Sequence, residues 1–148
     1  MAEYTYFWGC QIPARLPFIE KATRLAMEKL GIACYDLDGF TCCPEKTLVK
    51  CMDERTWLLT AARNLAVAES AGRDVLTLCN QCYSTLHGVA KRLKGEPDLK
   101  ASVNSELDRV GLHFDGDIQI VHLMELLAHK IGFDEIRNRL GPGLRGMR

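Results

Sequence analysis

Five of the seven cysteines in this 148-residue chain sit where a side chain is free to do chemistry. Cys10 follows the short aromatic run Tyr4-Thr5-Tyr6-Phe7-Trp8, Cys42 and Cys43 are adjacent and precede Pro44, and Cys79 and Cys82 enclose Asn80-Gln81. Thiolates are soft donors suited to zinc and to iron–sulfur clusters, and a C-x-x-C pair by itself fits a redox dithiol or half of a zinc site. Three residues apart on a first helical turn, the sulfurs of Cys79 and Cys82 can face one point, where unpaired backbone N–H groups favour the thiolate. A vicinal pair and a C-x-x-C pair, both placed after strands, are hard to explain as packing. Cys34, inside a strand, and Cys51, between Lys50 and Met52, read instead as small core residues.

Other titratable groups carry weaker signals. His87 and His122 can approach the cysteines, but a surface or hydrogen-bonded role accounts for each as well. Lys46, Lys50 and Arg55 form a solvated face or offset thiolate charge. Glu106 and Asp108 flank Leu107 on a helix surface, and no carboxylate pair stands beside the cysteines, so acid–base catalysis by paired carboxylates has no candidate.

The elements that position these residues follow from periodicity. The run of residues 4–8 is β-prone, too short for a helix and stopped by Gly9, which predicts a buried strand. Residues 17–30 place Ile19, Ala22, Leu25, Ala26 and Leu30 at helical spacing before Gly31. A second strand covers residues 32–37, and Pro44, which cannot donate to a ladder, puts Cys42 and Cys43 on a loop. Asp53 caps a helix reaching Ala71, and residues 75–78 form a third strand ending at Cys79. Asn80 caps the next helix, which stops near Gly95-Glu96-Pro97. Leu99, Val103, Leu107 and Val110 mark another helix, residues 118–121 a fourth strand, and residues 123–131 and 133–140 are helical. Strands alternating with helices predict an α/β domain: a small parallel sheet of about four strands, helices on both faces, and the cysteines at the C-terminal strand edge. In such a sheet the strand ends lie side by side, so five thiols distant in sequence can meet at one metal centre.

Composition narrows the class. The 19 Lys and Arg balance 19 Asp and Glu, which argues against nucleic-acid binding by bulk charge. Length fits one domain, expected over residues 1–140, with the glycine-rich 141–148 tail a linker or the start of a second domain. No apolar run approaches the ~20 residues of a membrane span; the best, residues 118–131, is broken by His122, Glu125, His129 and Lys130. Met1-Ala2-Glu3-Tyr4 shows no basic segment followed by a long apolar one, so a reducing, cytoplasmic setting is expected. There cysteines serve metal binding or thiol chemistry in preference to a disulfide framework.

The spacing is distinctive: 31 residues separate Cys10 from Cys42, 35 separate Cys43 from Cys79, and two separate Cys79 from Cys82. With Tyr6-Phe7-Trp8-Gly9-Cys10, Ile12-Pro13-Ala14-Arg15, the segment 57–64 and Thr77-Leu78-Cys79-Asn80-Gln81-Cys82-Tyr83, it resembles the cysteine-rich CCG domain. That domain occurs twice in the B subunit of heterodisulfide reductase, and related forms occur in glycolate oxidase, lactate-utilisation and anaerobic glycerol-3-phosphate dehydrogenase iron–sulfur subunits. The likeness is to the N-terminal half of the B subunit and covers nearly the whole chain, with Pro44 standing where the domain's name has glycine.

The resemblance implies that Cys10, Cys42, Cys43, Cys79 and Cys82 hold a noncubane [4Fe-4S] cluster. It implies an oxidoreductase role, electron transfer to and reduction of a disulfide substrate, that one five-cysteine set does not complete alone. The implied partners are a second CCG domain, or self-association in its place, and an electron-supplying iron–sulfur subunit. Two other readings of the cysteines stay open: a zinc-binding structural module on Cys42, Cys43, Cys79 and Cys82, and a thiol/disulfide switch on Cys79 and Cys82.

Overall fold

The computed structural model describes residues 3–140; the 141–148 tail lies outside the described residues. Its elements run β1 (Tyr4–Phe7), α1 (Gln11–Arg15), α2 (Pro17–Lys29), β2 (Cys34–Tyr35), α3 (Val49–Met52), α4 (Glu54–Ser70), β3 (Asp74–Thr77), α5 (Asn80–Gly95), α6 (Pro97–Leu107), β4 (Ile120–His122), α7 (Leu123–Glu125) and α8 (Phe133–Leu140). A 3-10 turn, Asp108–Val110, follows α6, and a π-helical segment, Leu126–Ile131, joins α7 to α8.

All four strands are parallel, in the order β2-β1-β3-β4. This is the expected α/β class. Side chains alternate across the pleat, so Phe7, Val75 and Ile120 pack with Leu65 of α4, Leu86 of α5 and Val103 of α6 on one face. Tyr4, Tyr6, Leu76 and Val121 pack on the other face with Met27 of α2 and Leu126 of the π-helical segment. All four residues of β1 are therefore buried, as in a parallel sheet covered on both sides. Among the described residues no helix is long and apolar enough to cross a membrane.

Several local expectations shift for identifiable reasons. Asp53 does cap α4, its carboxylate accepting the Thr56 N–H at 3.0 Å. The cap position of α5 is Cys79 rather than Asn80, which is already helical; Cys79 is extended, and its N–H donates to Thr77 Oγ1 at 3.4 Å. The second strand is two residues long, because beyond Tyr35 the chain leaves β1 and Asp36 turns to Arg24 and Trp8. The helix expected to reach Val110 ends at Leu107 and tightens into the 3-10 turn. Cys51 is exposed on the single turn of α3, which corrects its reading as a core residue: a four-residue helix at the corner before α4 presents no face deep enough to bury it. Cys34 is half-buried against the Tyr4–Met27 cluster, where burial pushes its thiol up.

Candidate functional site

β1 has β2 on one side and β3 on the other, so successive crossovers leave it in opposite directions and open a crevice at the C-terminal ends of the strands. Cys10 occupies the cap position of α1, just after β1, and Cys79 that of α5, just after β3. Cys82, one turn into α5, is 3% exposed and lies against the end of β1. It fits there because Gly9 has no side chain: a Cβ on Gly9 would stand 2.7 Å from Cys82 Sγ, and Gly9 has φ +68°.

The loop carrying Cys42 and Cys43 is held by Asn64, a polar residue 1% exposed on the buried face of α4. Thr41 donates its N–H to Asn64 Oδ1 at 2.8 Å and its hydroxyl to the same atom at 3.3 Å. Asn64 Nδ2 donates to the Cys42 carbonyl at 3.0 Å. Thr85 of α5 donates to the Pro44 carbonyl at 3.4 Å. Glu45 closes the loop, accepting the N–H groups of Thr47 and Leu48, each at 2.7 Å, and Gln81 Nε2 at 2.8 Å. These contacts leave Cys42 exposed and bury Cys43.

All seven cysteines are free. Cys42 neighbours Cys10 and Cys43, and Cys82 neighbours Cys43 and Cys79, so the five thiols form a chain of neighbours in the order Cys10, Cys42, Cys43, Cys82, Cys79. The Cys82 thiol beside Cys43 is the main reason Cys43 falls to about 7, while that same neighbour, with burial, drives Cys82 upward. Burial, then the charges of Cys43 and Cys10, raises Cys42. Among the described residues no three Cys, His, Asp or Glu side chains draw in tightly enough to hold a metal ion. Around one tetrahedral zinc the sulfurs would stand ~4 Å apart, given Zn–S bonds of ~2.3 Å. A cleft of about 360 Å³, walled by Trp8, Pro13 and Phe40, opens onto Cys10 and Cys42.

The remaining candidates have partners of their own. His87 stacks on Tyr83 at 5.2 Å between ring centroids. His122 Nδ1 accepts the Met124 N–H at 3.2 Å, and its Nε2 lies 3.2 Å from the Leu78 carbonyl. Tyr83 donates to Glu125 at 3.4 Å. Arg55 pairs with Glu106 at 3.4 Å, and Lys50 lies over the Trp57 ring at 5.0 Å from its centroid. Asp108 is exposed and faces His113 Nδ1 at 2.9 Å. Sequence reasoning missed Gly9, Asn64 and Glu45 as positioning residues. Asn64 was open to discovery as an amide inside the apolar stripe of Ala61, Leu65 and Ala68, and Glu45 as a carboxylate two residues beyond the vicinal pair.

A parallel α/β sheet that gathers free thiols at its strand ends defines a cysteine-rich domain. The family profile of the cysteine-rich domain, CCG, matches residues 4–87, and the chain belongs to that family. The B subunit of the ferredoxin/F(420)H(2)-dependent CoB-CoM heterodisulfide reductase of Methanosarcina acetivorans is 40% identical over 138 residues, covering 93% of this chain and 46% of that protein. The B subunit of the ferredoxin:CoB-CoM heterodisulfide reductase of Methanosarcina mazei is 41% identical, with the same coverages of 93% and 46%. The 8-methylmenaquinol:fumarate reductase membrane anchor subunit of Wolinella succinogenes is 28% identical over 99% of this chain and 50% of its own length. The chain thus spans about half the length of the curated relatives it matches. A crystal structure of a hypothetical protein from Helicobacter pylori superposes with a TM-score of 0.73 at 25% identity, covering 83% of this chain and 24% of that one.

Proposed function

We propose that this chain is the N-terminal cysteine-rich half of a B-subunit-type heterodisulfide reductase, with Cys10, Cys42, Cys43, Cys79 and Cys82 holding a noncubane [4Fe-4S] cluster. The observation that carries the reading is the row of five free thiols along one sheet edge, with Cys34 and Cys51 apart from it. Soft sulfur donors in that number fit an iron–sulfur cluster, and five thiols are one more than a single tetrahedral ion takes. When bound, such a cluster supplies one-electron steps and an iron open to a substrate sulfur. The chain's own residues prepare the place: Asn64 and Glu45 fix the Cys42–Cys43 loop, Gly9 admits Cys82, and Trp8, Pro13 and Phe40 shape an approach to Cys10 and Cys42. Residues 1–140 form this domain and 141–148 lead toward a second one. A second cysteine-rich domain and an electron-supplying iron–sulfur subunit complete the reductase, in a reducing, cytoplasmic setting.

Anaerobic protein should be brown, with iron and sulfide in equal amounts and an EPR signal on oxidation or reduction. Cys79→Ser and Cys82→Ser should each remove most of the iron, while Cys34→Ser and Cys51→Ser leave it. A colourless protein with stoichiometric zinc identifies a structural module instead, and a metal-free one whose thiol count changes with redox state identifies a switch.

A further inference from the structure

The sequence left Lys46 and Lys50 as a solvated face or as compensation for thiolates. The structure gathers them at a cavity of about 530 Å³ between α5 and the α3–α4 corner, with Trp57, Ser84, His87 and Arg92. We propose that this groove binds the anionic group, a phosphate, sulfonate or carboxylate, of the small molecule that reaches the thiol edge. The inference rests on the reductase reading only for which molecule carries the anion.

Charge favours an anion here. Among the described residues no carboxylate lines the groove. Two of its three fixed cations share two neighbouring acids: Arg92 meets Glu54 at 2.9 Å and Glu96 at 3.0 Å, and Lys50 reaches the same Glu54 at 3.6 Å. Lys46 donates to the hydroxyl of Ser84 at 2.8 Å and, among the described residues, has no carboxylate within ion-pair distance. One positive charge is therefore left over, held beside a hydroxyl that can itself donate. Lysine ammonium, hydroxyl and imidazole are the groups that take an oxyanion by charge-assisted hydrogen bonds.

A second observation is independent of charge. Trp57 forms part of the wall, and its buried Nε1–H is without an acceptor among the described residues. A buried N–H left unpaired carries a desolvation cost that nothing in the chain offsets.

Position ties the groove to the thiols. Lys46 is the third residue after Cys43, and Ser84 the second after Cys82. A molecule anchored by its anion in the groove can extend its other end toward the sheet edge.

The test uses the purified chain and measures binding alone. Inorganic phosphate should broaden its own ³¹P resonance saturably and should protect Lys46 and Lys50, among all the lysines, from acetylation read by mass spectrometry. The Lys46→Gln/Lys50→Gln double variant should weaken binding about tenfold or more, with thermal unfolding checking that it folds. Lys21→Gln, on α2 across the sheet, should change nothing. A disulfide bearing carboxylates, 3,3′-dithiodipropionate, should displace phosphate, whereas bis(2-hydroxyethyl) disulfide should not. Absence of saturation, protection spread evenly over the lysines, or unchanged affinity in the double variant overturns the site. Phosphate binding that the charged disulfide fails to displace assigns the groove to free phosphate and overturns the substrate role. No step depends on iron or on turnover, so failure of the reductase reading shows separately, in the metal and cysteine-variant measurements.

Discussion

Gly9 and Cys82 touch: the space a Cβ would need on the residue before Cys10 is filled by the sulfur of Cys82, at 2.7 Å from the ideal Cβ position. Gly9→Ala meets both this sulfur and the cost of a left-handed backbone at φ +68°, about 1–2 kcal/mol for the backbone alone. The variant should unfold at lower denaturant concentration and bind less iron. Wild-type values for both would show that Cys82 can retreat.

Asn64→Ala leaves the Thr41 N–H and the Cys42 carbonyl without their partner and should cost about 2 kcal/mol. Asn104 is the internal control, since it is also buried and holds Phe114 through its N–H at 3.1 Å and its carbonyl at 3.0 Å, away from the thiols. Asn104→Ala should lose similar stability in denaturant yet keep its iron, while Asn64→Ala loses both. Equal iron content in the two variants would reduce Asn64 to a packing role.

Much of this arrangement is legible in the sequence because parallel topology is a strong constraint. Once Tyr4-Thr5-Tyr6-Phe7 and Val75-Leu76-Thr77 read as strands with a helix between, Cys10 and Cys79 must share an edge. The vicinal pair could be assigned to a loop through Pro44, yet what fixes the loop comes from α4, and a contact between residues 42 and 64 has no local signature. The shortness of β2 was hidden for a similar reason. Its sequence is β-prone through Leu37, but a bidentate Arg24–Asp36 pair, both contacts at 2.8 Å, takes the chain out of the ladder. Helices α1 and α3, of one turn each, are too short for periodicity to register.

That pair has a pH signature. Hydrogen bonds from Arg24 chiefly hold the Asp36 carboxyl below the usual carboxylate range, outweighing the opposing effect of burial, with a lesser contribution from the Trp8 indole; Glu20 competes for the same guanidinium. A carboxyl lowered on folding contributes stability that is complete above its unfolded value, ~3.9, and is lost as pH falls through the lower folded one. Asp36 is 61% exposed, so solvent screening limits the effect to about 1 kcal/mol or less. Asp36→Asn should be slightly less stable at neutral pH and should show a shallower loss of stability below pH ~4 in acid titrations followed by circular dichroism.

Leu48 and Met52, on and beside α3, are 63% and 78% exposed, next to the exposed Cys51. Adjacent apolar side chains of this size favour association. Sedimentation over a concentration series, under reducing conditions, should show reversible self-association that Leu48→Glu/Met52→Glu abolishes. A monomer at every concentration would leave this patch without a partner of its own kind.

The order of the strands sets a timetable. β1 and β2 are made early, but β1 completes its pairing only with β3, and the last two thiols of the row arrive with α5. Contacts this far apart in sequence form late in folding. A growing chain therefore exposes Cys10, Cys42 and Cys43 to the cell well before Cys79 and Cys82 exist, and on the proposed cluster reading whatever delivers iron and sulfide acts on a domain already folded through α5. On that reading loading is a maturation step separate from synthesis, and oxidation of the three early thiols in that interval is the hazard it has to outrun.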